Sequence, residues 1–374
     1  MAQPRLAGLT IACLSTSIWR GLWTRKQWTM RAFAQSNRVL YVDPQESCTY
    51  RWRSRPHRAS ALQAKVPAGI TVLSPWPALP FGQDRSPIHS INSTLLRMQL
   101  AMVRGVLPPD IWWVYDPISS AATERYRARL IVYDCVDRHA AYGGHRGLMD
   151  RLESDLLARA DIVFVTARGL VSHCQARARE VHFVSNGFDE DLFQVPRPVP
   201  ADLQAIPRPR LGFVGGLAHW LDVDLILNAA RARPDWSFVL VGPMADVQGV
   251  LPSAANVHWL GPCARDDVPA YIGGFDLGLV PFRAMPLTRT VNPLKAYEYL
   301  AAGIPVVSTP MPELDHLPII RQASSPGAFI TAIEEALAEG NGEQERQHRR
   351  ASAAPYSLQQ GFDFMCRILQ EKLP

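Results

Sequence analysis

The stretch Thr290–Ser308 places residue types that can bind a nucleoside diphosphate at the start of one expected helix. Pro293 suits the first helical turn, because that turn needs no backbone N–H donor from it. The N–H groups around it would carry about half a positive charge from the helix dipole and would attract phosphate. Lys295 would add a full charge, and Glu298 shares its face and can accept both hydroxyls of a ribose. The alternative is an ordinary helix with a surface Lys–Glu pair. The predicted binding residues are Asn292, Pro293, Leu294, Lys295 and Glu298.

A second candidate segment, Leu211–Asp224, reads as a strand that runs into two glycines and then into a helix. Gly215 and Gly216 would let the backbone approach a ligand closely. Trp220 could pack on a sugar or on an acceptor. Asp222 and Asp224 have the spacing of a metal-binding pair, but we interpret Asp222 as a helix N-cap or as an acceptor for sugar hydroxyls. We therefore expect no metal.

Candidate acid–base residues follow the expected strand Leu130–Asp134. Asp137 and His139 would lie at its carboxyl end, two residues apart, and could act as base and orienter. The alternative is that Asp134 and Asp137 cap loops and that His139 is a hydrogen-bonded loop histidine.

The elements that must position these residues form two series of alternating strands and helices, which predicts an α/β fold with parallel sheets. The proline-rich residues 194–209 read as a linker between them. We therefore expect two Rossmann-like, doubly wound domains at 1–193 and 205–356, followed by an amphipathic helix in 357–374. Ligands bind such sheets outside the carboxyl ends of their strands, so the expected site is a central cleft that the domains face.

Composition and charge narrow the classes of partner. Of 374 residues, 47% are hydrophobic and 20% charged, with no low-complexity tract. Residues 1–200 hold 25 Lys and Arg against 16 Asp and Glu, which could reflect a solvated basic face, a face for anionic lipid or, with no motif in support, nucleic acid. The densest basic cluster accompanies Tyr50 and Trp52 and comprises Arg51, Arg53, Arg55, Arg58 and Lys65.

The sequence has no expected signal peptide or membrane span, and its six cysteines form no CxxC pair. We expect a cytoplasmic protein that could also bind the inner membrane face as a peripheral protein.

The pattern N-P-x-K-x-x-E-Y-L-A-x-G-x-P-V-V at Asn292–Val307 resembles the GT-B glycosyltransferases, and within them the family-four type of bacterial exopolysaccharide and teichuronic-acid enzymes. The resemblance implies that the diphosphate binds at this helix start and that Glu298 holds the ribose. It also departs from the family, since position 290 is Thr where many members have Glu. Arg289, Thr290 or Asn292 could substitute for it.

Further roles are implied only by this resemblance. Backbone at Gly242 and Leu260 would contact the base and ribose, the C-terminal helix would cross back to the first domain, and metal would not be required. The first domain would bind the acceptor through a loop and helix that carry Trp23, Arg25, Lys26 and Gln27.

The expected function is transfer of a sugar from a nucleoside-diphosphate sugar, acting as co-substrate without a cofactor, to the hydroxyl of a lipid-linked or saccharide acceptor. Synthesis of bacterial cell-surface polysaccharide or glycolipid is the expected setting. The alternatives are a GT-B sugar-nucleotide epimerase or hydrolase, and a non-catalytic nucleotide-sugar-binding protein. A dinucleotide-dependent dehydrogenase is disfavoured, because no G-x-G-x-x-G follows a strand.

Overall fold

The computed structural model describes residues 6–49, 66–81, 86–103, 105, 107–139, 146–195, 197–244 and 254–373. The chain divides into two compact units. Unit 1 comprises Met1–Val184 with Phe362–Pro374, and unit 2 comprises Ser185–Gly361. The basic cluster that contains Arg51, Arg53, Arg55, Arg58 and Lys65 lies outside the described residues.

Unit 1 is built on a parallel sheet of seven strands in the order β3-β2-β1-β4-β5-β6-β7. Both faces of a parallel sheet are covered, so its strands read as nearly continuous apolar runs, as IWWV in β4 and IVFV in β6 do. The order reverses direction between β1 and β4, which is the point where ligands bind in doubly wound sheets. The strands are β1 Thr10–Leu14, β2 Arg38–Val42, β3 Ile70–Leu73, β4 Ile111–Val114, β5 Leu130–Cys135, β6 Ile162–Val165 and β7 Val181–Phe183.

The helices of unit 1 connect these strands and bury their apolar faces on the sheet. Side chains such as Leu96 and Leu156 join the strand residues in one core. The helices are α1 Arg25–Phe33, α2 Ser86–Ala101, α3 Arg146–Arg159 and α4 Arg168–Gln175.

Unit 2 repeats the plan with a parallel sheet of six strands in the order β10-β9-β8-β11-β12-β13. Here the order reverses between β8 and β11. The strands are β8 Arg210–Val214, β9 Ser237–Val241, β10 Val257–Trp259, β11 Leu277–Val280, β12 Val306–Ser308 and β13 Arg321–Gln322. Its helices are α5 Glu190–Phe193, α6 Ala201–Gln204, α7 Val223–Ala232, α8 Val268–Gly273, α9 Leu294–Ala302, α10 Pro326–Ala338 and α11 Glu343–Ala353.

The segment 194–209, expected to be a linker, packs on unit 2 instead. The short helix α6 buries Leu203 completely, and Ile206 follows it into the core. Tyr271 on α8 donates its hydroxyl to Asp202 at 2.9 Å. The prolines interrupt regular elements here, which is why the sequence predicts a linker. The apolar residues between the prolines nevertheless pack into the core.

The C-terminal helix α12, Leu358–Lys372, contributes its residues from Phe362 onward to unit 1. The Phe362 ring lies edge-on to Trp28 and Phe33, with ring centroids 5.9 and 4.7 Å apart. Lys372 pairs with Glu180 at 2.7 Å. The expectation that this helix returns to the first domain is confirmed.

Among the described residues, no helix is both long enough and apolar enough to span a bilayer.

Candidate functional site

The start of α9 presents unused backbone donors. The helix begins at Leu294, which is partly buried, and Pro293 occupies the N-cap position with an extended ψ of 107°. The helix thus starts one residue later than expected. No side chain caps its start, so the first backbone N–H groups are available to an anion. Gly303 ends the helix in the left-handed region, with φ 80°.

Lys295 lies one position into α9, with its ammonium between two phenyl rings. Its Nζ is 5.0 Å from the ring centre of Phe213 and 4.7 Å from that of Phe282. Its Cε is 3.2 Å from where a β-carbon at Gly215 would stand, so the chain is laid against that glycine. Burial lowers the pKa of Lys295 to about 8, and nearby Glu298 opposes part of this shift. The ammonium is thus held in a fixed orientation and is poorly hydrated.

Glu298 lies one turn further along α9. Burial raises its pKa to about 7, while the charges of Lys295 and Arg265 act in the opposite direction. Arg265 itself forms an ion pair with the buried Asp189. At neutral pH this carboxyl is therefore about half ionised, and its ionised form can accept hydrogen bonds from hydroxyl groups. Arg265 was not singled out from the sequence, since its place depends on a contact across 76 positions.

Two glycines bring the ends of β8 and β9 into direct backbone contact. Gly215 N donates to Val241 O at 2.9 Å. A β-carbon at Gly242 would lie 1.9 Å from Gly215 O, so only glycine fits there. Both residues have φ near +145°, at +147° and +144°, a region that side chains rarely adopt. Gly216 follows and is partly buried.

The next strand end continues this edge. Leu260 N, just past β10, donates to Leu240 O at 3.0 Å, and Gly261 O accepts from Gly242 N at 2.8 Å. Trp259 donates its ring N–H to Gly242 O at 2.9 Å. The carboxyl ends of β8, β9 and β10 therefore form one hydrogen-bonded rim in unit 2.

Asp222 and Asp224 do not converge on a common point. Asp222 caps α7 by accepting from Leu225 N at 3.1 Å, whereas Asp224 is exposed and pairs with Arg283 at 2.9 Å. Within the described ranges, no group of three His, Cys, Asp or Glu side chains could hold a metal. Trp220 is partly buried against the core of unit 2.

Asn292 carries an unusual polar side chain next to the start of α9. It is only 3% exposed, yet neither amide atom has a hydrogen-bond partner among the described residues. A buried amide without partners costs about 1–3 kcal/mol. Its backbone oxygen accepts from Asn186 at 2.9 Å. Arg289 is exposed, and Thr290 donates its hydroxyl to Leu287 O at 3.3 Å.

At the Asn186-Gly187 turn, glycine is required for space and not for a positive φ. Gly187 is not in the left-handed region. It is needed because a β-carbon there would lie 1.7 Å from Tyr356 O. The turn thus permits a close backbone crossing that sequence patterns do not reveal.

In unit 1, Asp134 is fully buried and accepts from Arg25 Nε at 3.1 Å. Arg25 also donates to Val184 O at 2.7 Å, so this pair ties α1 to the sheet. Asp137 and His139 lie beyond β5 and are both partly buried. His139 Nε2 is buried with no hydrogen-bond partner among the described residues.

Lys26 is a second buried cation whose charge is affected by Asp134 and Asp137. It is 9% exposed, and burial lowers its pKa, while Asp137 is the strongest of the carboxylates that oppose the shift. Its Nζ reaches Ser17 Oγ at 3.4 Å. The Asp137 side chain is therefore close enough to Lys26 to affect the pKa of that lysine.

The other two predicted acceptor-side residues have structural contacts. Gln27 accepts from Thr24 N at 3.1 Å to close a capping box at the start of α1, and it donates to Leu22 O at 3.0 Å. The Trp23 ring lies edge-on to Trp19, with ring centroids 5.4 Å apart.

Sequence comparisons identify relatives of this chain. Residues 208–339 match the family model described as "Glycosyl transferases group 1". The chain is also 31% identical, over 264 residues, to a Bacillus subtilis (strain 168) protein named as a teichuronic acid biosynthesis glycosyltransferase, TuaH. That alignment covers 64% of this chain and 66% of the relative, just under two thirds of its length.

Solved structures show the same fold at low identity. A sucrose-phosphate synthase from Thermosynechococcus elongatus is 14% identical with a TM-score of 0.69, covering 96% of this chain and 98% of that one. A trehalose-phosphate synthase from Burkholderia vietnamiensis is 13% identical with a TM-score of 0.68, covering 98% and 97%. HepE of Anabaena, in complex with UDP and glucose, is 14% identical with a TM-score of 0.63, covering 97% and 100%. The chain therefore has the GT-B fold, and its residues 208–339 match the group 1 glycosyltransferase family.

Proposed function

We propose that this protein transfers a sugar from a nucleoside-diphosphate sugar to an acceptor hydroxyl, with the donor bound by unit 2. The bond between the anomeric carbon and the diphosphate oxygen breaks, and its electron pair leaves with the diphosphate. The acceptor oxygen forms the new bond to that carbon and gives up its proton. Because the leaving group is already a good one, the reaction needs no cofactor, and the nucleotide-sugar is a co-substrate.

One observation carries the proposal: Lys295 and the uncapped start of α9 are neighbours. Charge that develops on the departing diphosphate would meet the helix dipole and an ammonium that is already oriented and desolvated. Oriented charges of this kind stabilise a transition state more than water does. Glu298, one turn along, would accept the ribose hydroxyls, while backbone at Gly242 and Leu260 would border the base.

We assign Asn292 to the sugar itself. A neutral amide has both donor and acceptor atoms, which suits sugar hydroxyls better than it suits phosphate. Asn292→Ala should leave the ligand-free protein within about 1 kcal/mol of native stability, because the lost amide had no partner. Affinity for the nucleotide-sugar should fall, while affinity for the nucleoside diphosphate alone should stay the same. Equal losses for both ligands would contradict this assignment.

Unit 1 is proposed to bind the acceptor. Asp137, with His139 nearby, would take the proton of the acceptor hydroxyl, and the Lys26 ammonium would lie close to Asp137. Trp23 would contribute an apolar face for the acceptor. Arg25 and Gln27 would act indirectly, because their side chains hold α1 and its preceding loop in place.

The setting is proposed to be synthesis of a bacterial cell-surface polysaccharide or glycolipid, because the curated relative is named for teichuronic acid biosynthesis. A lipid-linked acceptor on the cytoplasmic side of the membrane would fit that setting.

A thermal-shift panel of UDP-, GDP- and dTDP-sugars tests the donor class. A ligand that binds only the folded protein raises its melting temperature, by about 2.7 kcal/mol of stability at a hundredfold excess over Kd. One nucleotide series should stand out, and the best donor should then yield product with an acceptor extract. No shift with any nucleotide-sugar would overturn the proposal, and release of free sugar as fast as transfer would indicate a hydrolase.

A further inference from the structure

The Lys26 side chain in unit 1 is a buried cation with few contacts. It is one of only four lysines in the chain, and it is 9% exposed. Its Nζ donates one long hydrogen bond, of 3.4 Å, to Ser17 Oγ. Across the part of the chain that the structure describes, no carboxylate forms an ion pair with it. Because an ammonium has three N–H donors, two of them have no partner among the described residues.

This ammonium lies at the point where ligands bind in sheets of this kind. Lys26 is the second residue of α1, and its Nζ is 5.9 Å from the centre of the Tyr115 ring. Tyr115 directly follows β4, and Ser17 lies in the loop after β1. The order of the strands reverses between β1 and β4, and doubly wound sheets bind their ligands at the carboxyl ends of such strands. The two contacts of Lys26 therefore place its unused donors at the expected ligand position of unit 1.

The charges around this lysine disfavour an anionic ligand. Burial lowers its pKa, and three carboxylates oppose that shift, namely Asp137, Asp134 and Asp116. Asp134 is already paired with Arg25 at 3.1 Å. Asp116 accepts only from uncharged donors, which are Ile118 N at 3.0 Å and Ser119 Oγ at 2.6 Å, so its charge remains. An anion that approached the ammonium would be repelled by these carboxylates, whereas a neutral hydroxyl would not.

We infer that the Lys26 ammonium donates a hydrogen bond to the reacting hydroxyl of an acceptor whose terminal sugar is uncharged. The inference rests on the proposed function, to which it adds the class of acceptor and a catalytic role for Lys26. A hydroxyl oxygen has two lone pairs, so one accepts from Lys26 while the other attacks the anomeric carbon of the donor. The proton of the hydroxyl passes to Asp137, and the diphosphate leaves with its electron pair.

A lysine with this role should reduce the stability of the ligand-free protein. Because burial lowers its pKa, the folded chain holds the charged form of Lys26 less favourably than the unfolded chain does. Methionine has a similar length and no charge, so Lys26→Met removes this cost. A lysine needed for folding would show the opposite effect, because its loss would leave buried partners unsatisfied.

The first test compares Lys26→Met with the matched control Lys372→Met, since Lys372 is exposed at the end of α12. The measurements are the melting temperature, the affinity for the nucleotide-sugar, and the release of nucleoside diphosphate with an acceptor extract. We expect Lys26→Met to melt at or above the native temperature, to bind the donor within twofold of native, and to transfer sugar about 100-fold more slowly. Lys372→Met should match the native protein in donor binding and in transfer.

Transfer by Lys26→Met within threefold of the native rate would overturn the inference. A melting temperature clearly below that of the native protein would also overturn it, because Lys26 would then be a structural residue.

The second test observes Lys26 directly by NMR. Protein that carries a carbon isotope at the Cε of lysine gives four signals, because the chain has four lysines. The signal that is missing from Lys26→Met is that of Lys26. The uncharged probes are hexyl glucoside, hexyl galactoside and hexyl N-acetylglucosaminide, and the anionic probe is inorganic phosphate. This measurement needs no donor, so its result is separate from the thermal shift that tests the proposed function.

We expect the Lys26 signal to move with at least one hexyl glycoside and to stay in place with phosphate, while the Lys372 signal stays in place with every probe. No movement of the Lys26 signal with any hexyl glycoside would overturn the inference. A movement with phosphate as large as that with the glycosides would also overturn it, because Lys26 would then belong to an anion site.

Discussion

Burial makes Lys295 hold its proton less tightly than a lysine in water does, and that property sets how Lys295 can act. Its pKa of about 8 leaves it charged at neutral pH, so it can pair with phosphate without a large loss of hydration on binding. Glu298, with a pKa of about 7, is close to its own midpoint. Lys295 therefore loses its charge above a narrow pH range near neutrality, and Glu298 loses its charge below that range.

Donor affinity should be greatest between about pH 7 and pH 8. Above that range Lys295 loses its proton and its attraction for the diphosphate, and below it Glu298 gains a proton and becomes a weaker acceptor for hydroxyls. Calorimetric titration of the nucleotide-sugar at a series of pH values measures the fall in affinity on each side of this optimum, the acidic limb and the alkaline limb.

The matched variants separate the two limbs. Lys295→Arg should abolish the alkaline limb, because a guanidinium stays charged throughout the range, and Glu298→Gln should abolish the acidic limb. An alkaline limb that persists in Lys295→Arg would mean that another group titrates.

At the scale of elements, strands and helix ends could be read from the sequence because they depend on local residue types. Both units have the alternating strands and helices that the sequence predicts, and α9 starts one residue late. The rings that flank Lys295 could not be read in this way, since Phe213 and Phe282 are distant in sequence and meet it only when β8 and β11 are neighbours.

The segment 194–209 also shows that long-range packing could not be predicted from local sequence. Its prolines correctly predict a break in regular structure. They do not reveal that Leu203 is packed into unit 2, because that burial depends on contacts made by the folded sheet. The family pattern at Asn292–Val307 identified the candidate site, but the buried amide of Asn292 without partners is visible only in three dimensions.

The contact between the loops after β8 and β9 should be intolerant of a single methyl group. Gly242→Ala places a β-carbon 1.9 Å from Gly215 O at a φ of +144°, so the loops must separate. We expect a loss of about 3 kcal/mol or more in the free energy of unfolding, measured by urea denaturation. Donor affinity should also fall, since the rim shifts.

Gly327→Ala in α10 is the matched control, because nothing lies within 4 Å of its new β-carbon and φ is not positive there. It should be neutral or stabilise by up to about 1 kcal/mol. Comparable losses in both variants would contradict the assigned contact.

At the scale of the whole molecule, the two units repeat one plan, and the end of the chain completes the first of them. Residues from Phe362 onward follow unit 2 in sequence but belong to unit 1. Unit 1 is therefore incomplete without α12, and its stability should depend on that helix.

Phe362→Ala should test that dependence. Its ring packs on Trp28 and Phe33 and is buried, so we expect about 3–5 kcal/mol of lost stability in unit 1. Phe364→Ala is the control and should cost less, because Phe364 is only partly buried. Hydrogen exchange along β1, β4 and β5 measures the effect, and unchanged exchange in Phe362→Ala would refute the role given to α12.

The most direct test of the central claim is calorimetric titration of the best nucleotide-sugar into native protein, Lys295→Ala and the surface control Lys372→Ala. In the proposed complex Lys295 would make one charge-assisted contact to the diphosphate, and such a contact is worth about 10- to 100-fold in affinity. Lys295→Ala should bind weaker by that factor while Lys372→Ala matches the native protein. Native affinity in Lys295→Ala would place the diphosphate elsewhere and contradict the account.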